Sequence, residues 1–397
     1  MQRTEILVVG AGPVGTVAAY RLARMGIDVV LCEAADSCAH DLRASTIHAP
    51  TIEMLDELGV ADELIERGLK APVYQMRDRR SGNIIAFDMA EIADRTRYPY
   101  RLQCEQYYMA MAIAERLRNH PRAEVLFGTP VLSVSQNGNE AIATVEHKGE
   151  KREIAARFII GADGARSVVR KSLGVEFEGF TYEEKFLSLS TDFPIEDVIT
   201  DLAYVNYISD PDEWLVLLRV PSLWRILVPA SNAESDESLL SGQNVASVMG
   251  RIVGDRPVNV SHRTIYRVHQ RVASTFVDDR ILLIGDAAHL NNPLGGFGMN
   301  SGIHDAWNLT EKLEAILRRG GGPELLERFN RQRRAVTKSF IQAQTIENKV
   351  FMEQGMADYQ KERLARFEAI HNDPEQRRAY LLRQSMFASL EEAEAIQ

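Results

Sequence analysis

Three glycines at fixed spacing, Gly10, Gly12 and Gly15, constrain this chain most. A short β-branched run (5–9) precedes them and an apolar helical pattern (16–25) follows, with Gly26 as its stop. Gly10 permits a tight turn, Gly12 lets a pyrophosphate approach the backbone, and Gly15 lets helix pack on strand. Pro13 and Val14 complete the turn, and the free N–H groups of a helix start there suit phosphates. A second strand (28–31) ends beside Glu33, 18 residues after Gly15, where a carboxylate accepts from ribose hydroxyls. This strand–turn–helix–strand unit predicts a parallel sheet and a dinucleotide site, with FAD and NAD both open. A glycine-rich structural turn is the competing reading.

The 397 residues fit about two domains and can bury a sizeable core. Lys and Arg number 46 against 56 Asp and Glu, a net charge of −10, which argues against nucleic acid as the main partner. Cys32, Cys38 and Cys104 are too few and scattered for a disulfide framework, and no cysteine–histidine cluster suggests a metal. A reducing cytoplasm is the expected location. Residues 6–20 lack charge, but glycines interrupt them and no basic segment precedes them, so neither a leader nor a membrane span is expected. Monomer and homodimer both remain open.

Along the chain, 51–68 reads as one helix and 105–119 as another. Asn137-Gly138 marks a hairpin turn. The stretch 73–98 looks like an excursion from the first sheet, and 186–260 reads as a mostly antiparallel sheet. A helix is expected over about 301–319, ended by Gly320-Gly321-Gly322-Pro323, with charged helices beyond and a break at Asp373-Pro374. In 351–397, a solvated packing helix is expected over a membrane helix.

Two further motifs follow buried strands. One is Gly161-Ala162-Asp163-Gly164-Ala165-Arg166, continuing to Arg170. The other is Gly285-Asp286-Ala287-Ala288-His289, followed by Asn292-Pro293-Leu294-Gly295-Gly296-Phe297-Gly298-Met299-Asn300. Each alone could be a capped structural turn. With the first motif, in this order and spacing, they resemble the single-component FAD-dependent aromatic hydroxylases of the para-hydroxybenzoate hydroxylase type, over roughly residues 4–350. The resemblance implies FAD at the first motif and Asp286 at the ribityl chain. It implies that the loop of Gly295, Gly296, Gly298, Met299 and Asn300 faces the flavin pyrimidine edge, where a helix start favours the negative charge of reduced flavin. It also implies that Asp163 serves the flavin and NAD(P)H sides, and that Arg43, Gln103 and the Val131 backbone contact the cofactor. Arg166 and Arg170 could equally be surface charges.

The implied chemistry is reduction of FAD by NADPH or NADH, reaction with dioxygen, and hydroxylation of a small aromatic or heteroaromatic phenol-like substrate through a flavin C4a-hydroperoxide. A base or a hydrogen-bond relay should deprotonate the substrate. Candidates are Tyr204, Tyr207, Trp214, Arg219, Arg225, Tyr266 and His269, with Arg225 leading because the family often brings a cation to the flavin from this strand. Pro293 is placed at the flavin's reacting face. His289 is a candidate acid or base, though support of the Asp286 loop fits it better. No second GxGxxG unit suggests a separate NAD(P)H domain, and Trp224 to Pro229 keeps little of a halogenase motif. Other FAD redox reactions on the fold, or a non-catalytic flavin binder, are the alternatives. The expected architecture is α/β. A discontinuous FAD-binding Rossmann-like domain (1–72, 100–180, 265–322) carries the parallel sheet. An inserted mostly antiparallel substrate domain (73–99, 181–264) and a helical C-terminal tail (323–397) complete it.

Overall fold

The computed structural model describes residues 1–40, 44–210, 213–353 and 357–397. Strand Gln2–Val9 lies at the centre of the first sheet, and Ile6, Leu7 and Val8 are wholly buried. It pairs in parallel with Val29–Cys32 on one side and Glu150–Gly161 on the other. Ala123–Leu126 and Ile281–Leu283 extend the parallel order outward. Near-continuous apolar runs are what a sheet covered on both faces needs. The strands Val131–Gln136 and Ala141–His147 form the expected antiparallel hairpin, and Ala141–His147 also pairs with the first half of Glu150–Gly161. Helix Pro13–Arg24 packs between helices Gln106–Arg118 and Phe297–Arg318.

The second sheet runs His289–Leu290, Val260–Ala273, Phe177–Thr191, Leu223–Ser231, Leu215–Val220, Val205–Ser209, Val73–Asp78, Ile84–Asp88. Only the pair Val205–Ser209 and Val73–Asp78 is parallel. Alternation divides it into two faces. Leu187, Leu189, Leu217, Ile226 and Val228 pack with Val245, Val248, Met249 and Ile252 of helix Gly242–Val253. Ser188, Tyr207, Val216, Leu218, Arg225 and Leu227 point the other way, toward the first domain. The boundaries expected at 180/181 and 264/265 fall inside the strands Phe177–Thr191 and Val260–Ala273, which run unbroken between the two halves of the molecule. A third, three-stranded sheet joins Thr46–Ile47, Arg101–Gln103 and Leu69–Ala71.

Two local expectations need correction. The single helix over 51–68 is two, Ala49–Glu57 and Ala61–Arg67. Gly59 adopts φ +69° and turns the chain between them, which an unbroken apolar spacing conceals. The helix expected from 301 starts earlier, at Phe297, and ends at Arg318.

The C-terminal helices are integrated into the body. Helix Glu324–Val336 carries Arg333, which is 1% exposed and bonds Asp305 through Nε at 2.6 Å. Asp305 also accepts from His289 Nε2 at 2.7 Å and from the Gly285 amide at 3.1 Å. Burial alone would raise the Asp305 carboxyl, but the His289 and Arg333 side chains outweigh it and hold it at about 2. After a π-helical turn, Thr337–Gln342, the chain continues to helix Pro374–Gln384, capped by Asp373. Its Tyr380 packs on Phe87 and Phe367. Among the described residues no helix is long and apolar enough to cross a membrane.

Replacing Arg333 would leave the Asp305 charge buried and short of its partner. We expect Arg333→Met to lower the unfolding free energy by about 3–5 kcal/mol, read by urea denaturation. Because the folded carboxyl is depressed, the Asp305 contribution is present above the ordinary carboxylate range and lost as pH falls through about 2. The wild-type advantage over Arg333→Met should therefore shrink in acid.

A candidate flavin and substrate site

A cavity of about 750 Å³ runs between the two large sheets. At one end are Gly10, Gly12, Pro13, Val14 and Glu33, and Val131 closes its wall. Asp163, Arg166 and Asp286 lie along it. Pro293, Gly295, Gly296, Gly298 and Met299 follow, and then the inner face of the second sheet with Tyr207, Arg225 and Tyr266.

The dinucleotide turn is built by backbone contact. Gly10 has φ +104°, and a Cβ there would lie 2.5 Å from the Ala162 carbonyl oxygen. A Cβ at Gly15 would lie 2.0 Å from the Gly10 carbonyl oxygen. Gly15 therefore packs on the turn and on Ala162 rather than facing the cavity. A Cβ at Gly12 meets nothing within 4 Å, so the space above it is open to a ligand. Helix Pro13–Arg24 starts there with no acidic residue in its first turn, which leaves the dipole end unopposed for phosphate. Glu33 is fixed at both oxygens: Oε2 accepts from the Ala11 amide at 2.7 Å and Oε1 from the Ala35 amide at 3.0 Å. Its remaining lone pairs can still accept from a ribose.

Asp163 caps the helix Val168–Ser172, accepting from the amides of Val168 at 2.7 Å and Val169 at 3.1 Å. Arg170 is not a surface charge. It is 5% exposed, lies 3.8 Å above Phe177, and donates to the carbonyls of Ala287 at 2.7 Å and Ala165 at 2.8 Å. It thereby joins the Asp163 turn to the Asp286 turn. Arg166, by contrast, is exposed at the cavity rim.

Helix Phe297–Arg318 begins at Gly296 in the left-handed region. Asn300 does not line the cavity but holds the loop in place. Its Nδ2 donates to the carbonyls of Gly296 at 2.7 Å and Thr46 at 2.9 Å, and its Oδ1 accepts from the His48 amide at 2.9 Å. His48 stacks on Phe297 and donates to the Gly295 carbonyl at 2.9 Å. Burial, then nearby Arg101, keeps it neutral by driving its pKa well below the usual histidine range. Gln103 is wholly buried and accepts from Thr46 Oγ1 at 3.1 Å, while its Nε2 donor has no partner. That unused donor, the open space at Gly12 and the charge-free helix starts all fit an anionic, polar-ringed cofactor such as FAD.

His289 stands apart from the cavity: 1% exposed, stacked on Phe276 and bonded to Asp305. Its geometry is that of a support behind Asp286, not of a group able to reach a ligand. Arg43 lies outside the described residues. Of the substrate-side candidates the cavity collects Tyr207, Arg225 and Tyr266. Trp214 packs edge-on against Phe186, Arg219 lies near the Trp224 ring, Tyr204 is 41% exposed, and His269 bonds Thr181 at 2.8 Å. Sequence reasoning missed His48, Thr46 and Arg101 because Thr46 and Arg101 lie in strands too short for a periodic signal and His48 sits just before helix Ala49–Glu57. Among the described residues no group of His, Cys, Asp and Glu is placed to hold a metal.

The FAD binding domain family matches residues 3–344. The chain belongs to the FAD-dependent aromatic hydroxylases. The para-nitrophenol 4-monooxygenase of Pseudomonas sp. (strain WBC-3) is 30% identical over 357 residues, covering 88% of this chain and 87% of that one. The pentachlorophenol 4-monooxygenase of Sphingobium chlorophenolicum is 28% identical over 358 residues, covering 88% of this chain and 65% of its own length. The crystal structure of the p-nitrophenol 4-monooxygenase PnpA from Pseudomonas putida DLL-E4 superimposes with a TM-score of 0.91 at 29% identity, covering 98% and 99% of the two chains. This hydroxylase is thus a FAD-dependent monooxygenase.

Two glycine substitutions separate folding from cofactor binding. Gly12→Ala adds a methyl group in open space, so the apoprotein should stay within about 1 kcal/mol of wild type. Its FAD affinity should fall at least about tenfold, read by fluorescence titration. Gly15→Ala drives a methyl group into the Gly10 carbonyl and should cost about 3 kcal/mol or more, read by thermal unfolding.

Proposed function

We propose that this enzyme uses NADPH or NADH and dioxygen to hydroxylate a small aromatic or heteroaromatic phenol-like substrate. The observation that carries this reading is the continuity of one cavity from the dinucleotide turn to an aromatic and arginine-bearing chamber. FAD, when bound, would supply the redox chemistry that links the nicotinamide, dioxygen and the electron-rich ring. The residues of the chain supply position, charge and dryness.

Asp286, at the cavity wall on the Gly285–Ala287 turn, is assigned to the ribityl chain. The start of helix Phe297–Arg318 would offer N–H groups to the negative charge of reduced flavin. Pro293 lies on the chamber side of that loop, and Val216, Leu218 and Leu227 give the ring an apolar seat. Such a lining excludes water, which limits wasteful release of hydrogen peroxide. Arg225, 6% exposed, brings a cation into this lining. Activity on phenols by the relatives named above supports the substrate class.

The test is NADPH and NADH oxidation over a panel of phenols, hydroxybenzoates and hydroxypyridines, with product mass. We expect at least one ligand to stimulate oxidation and to gain one oxygen. Asp286→Ala should remain folded yet lose FAD or turnover. Unchanged FAD affinity and unchanged turnover in that variant would contradict the assignment.

A further inference from the structure

Among the described residues two sulfur side chains line the cavity, Cys32 and Met299. They belong to opposite ends of it. Cys32 ends the strand Val29–Cys32, is 1% exposed, and its carbonyl accepts from the Gly10 amide of the dinucleotide turn at 2.8 Å. Met299 stands in the first turn of helix Phe297–Arg318, after the loop of Pro293, Gly295 and Gly296, and is 8% exposed. That loop is the stretch assigned above to the flavin ring, so Met299 marks the end of the cavity where dioxygen would react.

The two sulfurs also differ in reactivity. A thiol reacts with peroxide as its thiolate, and burial, then Glu124, pushes the Cys32 thiol up to about 12, so it stays protonated. A thioether has no proton to lose and is oxidised as it stands. The wall around Met299 offers little competition, since Pro293, Gly295, Gly296 and Gly298 carry no oxidisable group. When reduced flavin meets dioxygen and no ring takes up the oxygen, both oxygen atoms leave as hydrogen peroxide. One peroxide molecule confined to about 750 Å³ amounts to a local concentration of about 2 M, far above any it reaches once diluted into solution.

We propose that Met299 is a modification site, oxidised to its sulfoxide by peroxide formed in its own chamber, and that this oxidation loosens the cofactor. The inference rests on the dioxygen chemistry proposed above. In the step itself the O–O bond of peroxide breaks. One oxygen atom bonds to the Met299 sulfur, and the other leaves as water with both protons. Sulfur loses two electrons and peroxide gains them. The product carries a polar S–O acceptor into the first turn of helix Phe297–Arg318. There it competes for the N–H groups that would otherwise face the reduced ring.

In the test, the FAD-loaded enzyme is reduced by light with EDTA and re-oxidised with air through repeated cycles, with catalase present. Peroxide then forms in the chamber without nicotinamide or phenol, and whatever escapes is destroyed. Peptide mass should show one added oxygen at Met299 and none at Met111, which is 43% exposed on helix Gln106–Arg118. Peroxide added to the resting enzyme should give the reverse order, Met111 before Met299. After cycling, the FAD affinity of wild type should fall at least about tenfold by fluorescence titration, while Met299→Leu should keep its own starting affinity.

A Met299 that stays a thioether while oxygen continues to be consumed overturns the proposal, and that measurement on wild type needs no variant. Oxidation that disappears when catalase is present overturns it too, because the peroxide then arrives from solution. So does a loss of FAD affinity of the same size in Met299→Leu. The phenol panel is read separately. If no ligand there gains an oxygen while Met299 does, the hydroxylation reading falls and the modification site stands. If a ligand gains an oxygen while Met299 never does, the modification site falls and the hydroxylation reading stands.

Discussion

The structure depends on how closely the backbone of one motif can approach that of another. Gly10 abuts Ala162, Gly15 abuts Gly10, and Val14 sits where a Cβ at Gly302 would come within 2.6 Å of it and one at Gly285 within 3.2 Å. The dinucleotide turn, the Asp163 turn, the Asp286 turn and the long helix thus meet with almost no side-chain thickness between them. The polar pairs behind this junction keep its spacing. Arg170 spans from the Ala165 carbonyl to the Ala287 carbonyl, and Asp305 grips the Gly285 amide. Interiors packed this closely transmit a small displacement rather than absorb it.

Much of this was legible in the residues because the physics is local. The GxGxxG turn, the strands beside it, the hairpin at Asn137-Gly138 and the helix Gln106–Arg118 follow from spacing and turn chemistry. The Asp163 and Asp286 turns were legible through their resemblance to a family. What was not legible is set by distant partners. Arg170 reads as helix charge until Phe177 and Ala287 surround it. The strands Phe177–Thr191 and Val260–Ala273 each run across a boundary, 180/181 and 264/265, that the motif positions suggest. The three-stranded sheet that carries Arg101 and Gln103 has strands of two or three residues, too short for any periodicity.

The second sheet shows how one element serves stability and chemistry together. Along Leu223–Ser231, Trp224, Ile226 and Val228 belong to a covered apolar core, while Arg225 and Leu227 line the cavity. A shift of one residue in register would exchange the two sets. Trp224 anchors the covered side, donating to Glu196 at 2.5 Å, which makes such a shift costly. The placement of the chamber residues is thus guaranteed by packing on the opposite face.

The order of strands in the first sheet also bears on how the chain is made. Gln2–Val9 has an early neighbour in Val29–Cys32, but its other neighbour, Glu150–Gly161, is synthesised much later, and Gly302 later still. At about 5–20 residues per second, the interval between Cys32 and Gly302 is roughly 15–60 s. Until Gly161 is made, the strand that carries the wholly buried Ile6, Leu7 and Val8 has one open edge, and until Gly302 is made the phosphate turn lacks part of its packing. The cofactor pocket is therefore a late product of translation, and its first half depends on protection against mispairing until the second half emerges.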